Sequence, residues 1–178
     1  MRARKRQIVF LIIPVFAILG LAVFFWIKRE VAPAALQPLE RAAPEVKGLK
    51  DYEGREVKLS DFRGKFVMVN TWASWCPFCL KELPDFAVVQ EEVKDKIVII
   101  AINRGESEET AKKYSEAQGI TEKFILLLDP SDSFYAAIGG FSMPETIFLN
   151  ELGIIIFHKR GPMAIGEMRE RVHNAFDL

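Results

Sequence analysis

Two cysteines three residues apart, Cys76-Pro77-Phe78-Cys79, lie between an apolar run and a stretch of helical spacing, and the chain has no others. A disulfide between them would close a very small ring, remove little chain entropy and add little to stability, so structural stapling does not explain the spacing. A zinc site would need four ligands, and His158, His173 and the carboxylates offer no second paired spacing, so no metal site is expected. What remains is a reversible dithiol. Pro77 suits the first turn of a helix, where a missing N–H is no loss, so the pair is expected at a helix N-terminus. There the N–H groups and the macrodipole favour a thiolate on Cys76, the expected nucleophile, and Cys79 one turn later is expected to stay protonated until it resolves a mixed disulfide.

The flanking pattern predicts the layered α/β class. Phe66 to Val69 reads as a central strand covered on both faces, and Leu80, Leu83, Phe86, Ala87, Val88 and Val93 give a helix to about Lys94, with a kink expected at Pro84. Ile97 to Ile102 is a second buried strand, Ser107 to Gln118 a polar helix ended by Gly119, and Phe124 to Leu128 a third apolar run. Phe134, Tyr135 and Ile138 lead to the turn Gly139-Gly140, and Met143-Pro144 opens a strand Glu145 to Leu149. Ile154 to His158 pairs back antiparallel, and Gly166 to Phe176 closes the chain as an amphipathic helix. Ahead of all these, Leu49 to Leu59 alternates around an Asp-to-Gly turn and reads as a β-hairpin. The whole is a mixed sheet flanked by helices.

The N-terminus constrains location. Residues 8–27 carry no charged side chain, about the length that spans a bilayer as a helix, after a basic segment at 1–7 that holds Arg2, Arg4, Lys5 and Arg6. The basic bias places the N-terminus in the cytoplasm and everything after Glu30 outside it. A cleaved secretory signal, with Ala32-Pro33-Ala34 as its site, is the rival, although its apolar region would be longer than usual; both readings export the domain. Residues 28–44, with Pro33, Pro38 and Pro44, read as a semi-rigid spacer, leaving residues 45–178 as the folded domain. With 24 basic and 24 acidic residues, no global field draws the chain to nucleic acid.

Several motifs together resemble the membrane-anchored thioredoxin-like reductases of the TlpA and ResA type, including the CcmG/DsbE cytochrome c maturation proteins. They are Val57-Lys58-Leu59-Ser60-Asp61-Phe62-Arg63-Gly64-Lys65, Asn70-Thr71-Trp72-Ala73-Ser74-Trp75-Cys76, Pro84 in the active-site helix, and Met143-Pro144-Glu145-Thr146. The likeness runs from about Glu45 to the C-terminus. It implies a thioredoxin-like fold, a cis bond before Pro144, and a Met143 backbone set against the sulfurs to take a partner's extended chain. It also implies a redox-active Cys76–Cys79 disulfide with no further cofactor, exported protein thiols and disulfides such as those of apocytochrome c as partners, and a transmembrane thiol donor of electrons. Glu82, three residues beyond Cys79 on the same helix face, looks like the family's proton-shuttling carboxylate; on sequence alone it is equally an exposed helix glutamate.

Trp75, Pro77, Phe78, Met143 and Pro144 are thus the expected partner-binding set, with Trp72 as a groove or core residue. His158 reads as a satisfied or edge residue, and the charges from Glu106 to Glu116 as a solvated helix face. The dipeptide Pro77-Phe78 departs from what would fix the poise, because a proline after the first cysteine also occurs in strong oxidants. Disulfide formation therefore stays open beside reduction, as does a copper chaperone or assembly factor using the two thiolates as soft ligands.

Overall fold

The two longest central strands, Phe66–Trp72 and Ile97–Arg104, are buried almost throughout, and successive side chains enter opposite faces of the sheet. Met68 and Trp72 pack to one side with Ile99, Ala101, Leu126, Leu128 and Phe148. Val67 and Val69 pack to the other with Ile100, Ile102, Leu127, Ile147 and Leu149. A sheet buried on both faces must be covered twice, and the rest of the chain supplies the cover.

The computed structural model describes residues 41–176. In chain order the elements are β1 (Arg41–Ala42), a 3-10 turn at Leu59–Phe62, β2 (Phe66–Trp72), α1 (Pro77–Val93), β3 (Ile97–Arg104), α2 (Glu108–Ala117), β4 (Ile125–Asp129), α3 (Ser133–Ala137), β5 (Glu145–Leu149), β6 (Ile154–Arg160) and α4 (Ile165–Phe176). The sheet runs β1-β6-β5-β2-β3-β4. β2, β3 and β4 are parallel, and β5, β6 and β1 are antiparallel to their neighbours. Residues of α1 and α4 join the first core, and Phe134 and Tyr135 of α3 join the second together with Leu49 and Leu59.

Three features differ from the sequence reading. The hairpin expected at Leu49–Leu59 contracts to one antiparallel bridge, Lys50 to Glu56, and Lys50 also bridges Leu128. Asp51 explains the contraction: its carboxylate accepts the N–H groups of Glu53 and Arg55, a local competitor for backbone that would otherwise pair. Arg41–Ala42, in the stretch read as spacer, pairs with Ile154–Ile155 at the sheet edge. The buried face of α1 is Cys79, Glu82, Leu83, Phe86 and Val89. Val88, expected on that face, is exposed; Pro84 lies inside the helix, which runs to Val93 as expected.

The expected basic segment, membrane-spanning helix and most of the spacer lie outside the described residues. Among the described residues, no helix is long and apolar enough to cross a membrane.

Candidate active site

β2 ends at Trp72, and the next four residues turn its chain into α1. The turn Ala73–Cys76 is closed by the Cys76 N–H donating to the Ala73 carbonyl at 3.1 Å. Cys76 then caps α1, extended at φ −93° and ψ 105°, and its Sγ accepts the Cys79 N–H at 3.1 Å, with Pro77 as the first helical residue. This is the expected geometry: a sulfur in the position where a helix start offers unpaired N–H groups. Cys76 and Cys79 are joined as a disulfide with their Cα atoms 5.3 Å apart. Cys79 is fully buried and Cys76 retains 3% of its surface, so what exposure the pair has belongs to Cys76.

Antiparallel pairing of β5 with β2 brings the second segment of the site into place. Thr71 stands opposite Glu145, so Met143 and Pro144 arrive beside the end of β2 that carries the cysteines. The Met143–Pro144 bond is cis, as the resemblance implied. Trp75 and Phe78 are both exposed beside the sulfurs, whereas Trp72 is wholly buried, its ring 5.4 Å from Tyr114. Trp72 is therefore core and Trp75 surface. Phe141, 81% exposed, adds a third bare aromatic on the Met143–Pro144 loop, which sequence reading did not single out.

Glu82 is buried at 2% exposure, one helical turn beyond Cys79, and so is not the ordinary surface glutamate of the bland alternative. Its Oε1 accepts the Met163 N–H at 3.1 Å. Asn70, also buried, donates its amide to Thr146 Oγ1 at 3.0 Å. Burial pushes the Glu82 carboxyl up to about 8, against the lowering pull of the Met163 N–H and the Asn70 side chain. A group titrating there is poised to exchange a proton near neutral pH.

Two further carboxylates brace the site, and the sequence reading missed both. Glu106, expected on a solvated helix face, instead accepts the Ser74 N–H at 2.8 Å, the Ser74 hydroxyl at 2.6 Å and the Asn103 amide at 2.7 Å. The signal that could have found it is position, because it follows β3 directly and precedes the Ser107 cap of α2. Glu145 is wholly buried and accepts the N–H groups of Phe141 and Ser142 at 2.8 and 2.7 Å. Its other oxygen lies 2.6 Å from His158 Nε2, which makes His158 a satisfied residue, as expected. A charged side chain beginning a strand of apolar residues was the available signal. Tyr135 completes the brace by donating its hydroxyl to the Ser142 carbonyl at 2.7 Å.

Glu145→Gln keeps one acceptor oxygen and turns an amide toward the second set of partners. We expect it to cost about 1–2 kcal/mol and to speed hydrogen exchange at the Phe141 and Ser142 amides about tenfold. Unchanged exchange at both amides would show that the loop is held by other contacts.

The comparisons with known proteins agree with this geometry. The redoxin family model matches residues 38–175. The chain is 31% identical over 130 residues to the thiol-disulfide oxidoreductase ResA of Geobacillus thermodenitrificans, covering 71% of this chain and 72% of that one. It is 32% identical over 127 residues to the thioredoxin-like protein YneN of Bacillus subtilis, covering 70% and 73%. In three dimensions it resembles a thiol:disulfide interchange protein DsbE from Chlorobium tepidum, with a TM-score of 0.70, 23% identity, and 80% and 99% of the two chains covered. That last likeness carries the fold, and the two relatives carry the family.

Proposed function

This chain belongs to the redoxin family as a thiol–disulfide oxidoreductase of the ResA and DsbE type, and from that premise we propose that it reduces disulfides in exported proteins while tethered to the outer face of a membrane. The observation that carries the reading is the Cys76 sulfur at the mouth of α1, accepting the Cys79 N–H, with Cys79 sealed beneath it.

In the reduced enzyme the Cys76 thiolate, stabilised by the helix start, attacks one sulfur of a partner disulfide. That bond breaks, one partner cysteine leaves as a thiolate, and Cys76 is held to the other as a mixed disulfide. Cys79 then gives its proton to Glu82 in its ionised form, a minority near neutral pH that grows as the pH approaches about 8, and attacks the Cys76 sulfur, which releases the second partner thiolate and closes Cys76–Cys79. Two electrons have passed from the enzyme to the partner. A transmembrane dithiol donor returns them by the same exchange in reverse. Trp75, Phe78 and Phe141 form an apolar rim for the partner chain, and the backbone of Met143 beside Pro144 faces it as a strand edge would.

Export is supported by the uncharged stretch at residues 8–27 with its basic flank. A tether keeps donor and enzyme at high effective concentration. Apocytochrome c, implied by the resemblance, is the candidate substrate. The reduction potential of the Cys76–Cys79 couple decides the direction of flow. A reductase is expected near thioredoxin, at roughly −270 mV, and a value at or above about −120 mV, where strong periplasmic oxidants lie, would reassign the protein to disulfide formation.

A further inference from the structure

The turn that delivers Cys76 is only four residues long, and its second residue, Ser74, spends both of its donors on one carboxylate. That carboxylate belongs to Glu106, 32 residues away on the connection from β3 to α2. Asn103, wholly buried at the end of β3, donates to the same Glu106 oxygen at 2.7 Å and fixes its direction. Three donors thus converge on a side chain that makes no hydrogen bond to either cysteine. Short bonds onto a charged acceptor are the strong ones, so the turn is clamped to the sheet and not merely packed on it.

We infer that Glu106 is a positioning residue for Cys76: through Ser74 it holds the Ala73–Cys76 turn so that the sulfur stays aimed at the N–H groups that open α1. The inference rests on Cys76 being the attacking thiol. Its force lies in a conflict of sign. Considered only as a nearby negative charge, Glu106 would disfavour a thiolate, and its removal would make Cys76 more acidic. As a clamp, it preserves the alignment that stabilises the thiolate, and its removal makes Cys76 less acidic. The other charged groups around this end of the sheet include Glu82, the Glu145–His158–Arg160 group, the Arg104–Asp132 pair and buried Asp129, which ends β4 opposite Arg104. None of them takes a bond from Ser74, so substitution at Glu106 isolates the clamp.

The test is the pH dependence of Cys76 alkylation by iodoacetamide in the reduced full chain, for the wild type, Glu106→Ala, Glu106→Gln and Ser74→Ala. Wild-type Cys76 is expected to react with a midpoint below that of a free thiol. Glu106→Ala should raise the midpoint and slow alkylation at pH 6 about tenfold. Glu106→Gln, which retains an acceptor but no charge, should fall between, and Ser74→Ala should shift the same way by less. Should Glu106→Ala compromise folding, Ser74→Ala still reads the sign. A lowered or unchanged midpoint in the Ala and Gln variants overturns the clamp while leaving Cys76 as nucleophile. A wild-type midpoint equal to that of a free thiol overturns the nucleophile assignment and the clamp with it.

Discussion

Cys76→Ser is expected to abolish disulfide exchange, with reduction of a model protein disulfide falling by about 10³-fold or more, to the rate without enzyme. A hydroxyl at the start of α1 keeps the cap, since serine is itself a good N-cap residue, so the fold is expected to survive while the nucleophile is gone. The complementary substitution, Cys79→Ala, should stop the reaction halfway. Cys76 still attacks, but with no sulfur behind it the mixed disulfide has no internal route to resolution and accumulates. The species is read as a reductant-sensitive band of higher mass, and the captured protein is the physiological partner. Accumulation in the Cys76→Ser chain instead would invert the roles of the two sulfurs and contradict the burial difference between them.

Glu82→Gln carries the second large effect, and its two parts have opposite signs. The folded protein keeps the Glu82 proton up to about pH 8, whereas an unfolded carboxyl loses it near 4.5. Between those values the folded state binds more protons, so stability falls as pH rises through that window. The contribution is whole below the window and lost above it. At pH 7 the loss is about 3 kcal/mol. Gln removes it, retaining an oxygen for the Met163 N–H and adding a donor where Glu82 Oε2 and Asn70 Oδ1 have no partner among the described residues. Denaturation of the oxidised chain across pH 5 to 9 should therefore give a nearly flat profile for the variant against a declining one for the wild type. Turnover should fall about 10²-fold, because the variant cannot take the Cys79 proton. A parallel decline in both profiles would place the titration elsewhere.

Much of this is legible in the residues, and the missed carboxylates share a cause. The central strands, α1 and α4 follow from runs and periods of apolar side chains, which are local and unambiguous. The cysteine pair was legible because proline and an apolar strand bracket it. Glu82 could be placed on the Cys79 face, but its burial depends on Met163, which lies 81 residues downstream. Glu106 and Glu145 were invisible for the same reason: a carboxylate looks solvated until the N–H groups it satisfies are brought to it by other segments. The shortened hairpin failed differently, since Asp51 gave the backbone a local alternative that a pattern of alternation does not register.

That Met163 bond has a bearing on how the molecule is made. Glu82 receives its one hydrogen bond from the link between the last strand and the last helix, and Glu145, which sets the cis-proline loop, belongs to the fifth strand of six. A chain emerging from its N-terminus has its cysteines early and their neighbours late. Contacts of such long sequence separation close slowly, after local ones. The finished reactivity therefore belongs only to the completed polypeptide, and a truncated product carries the two sulfurs without the environment that tunes them.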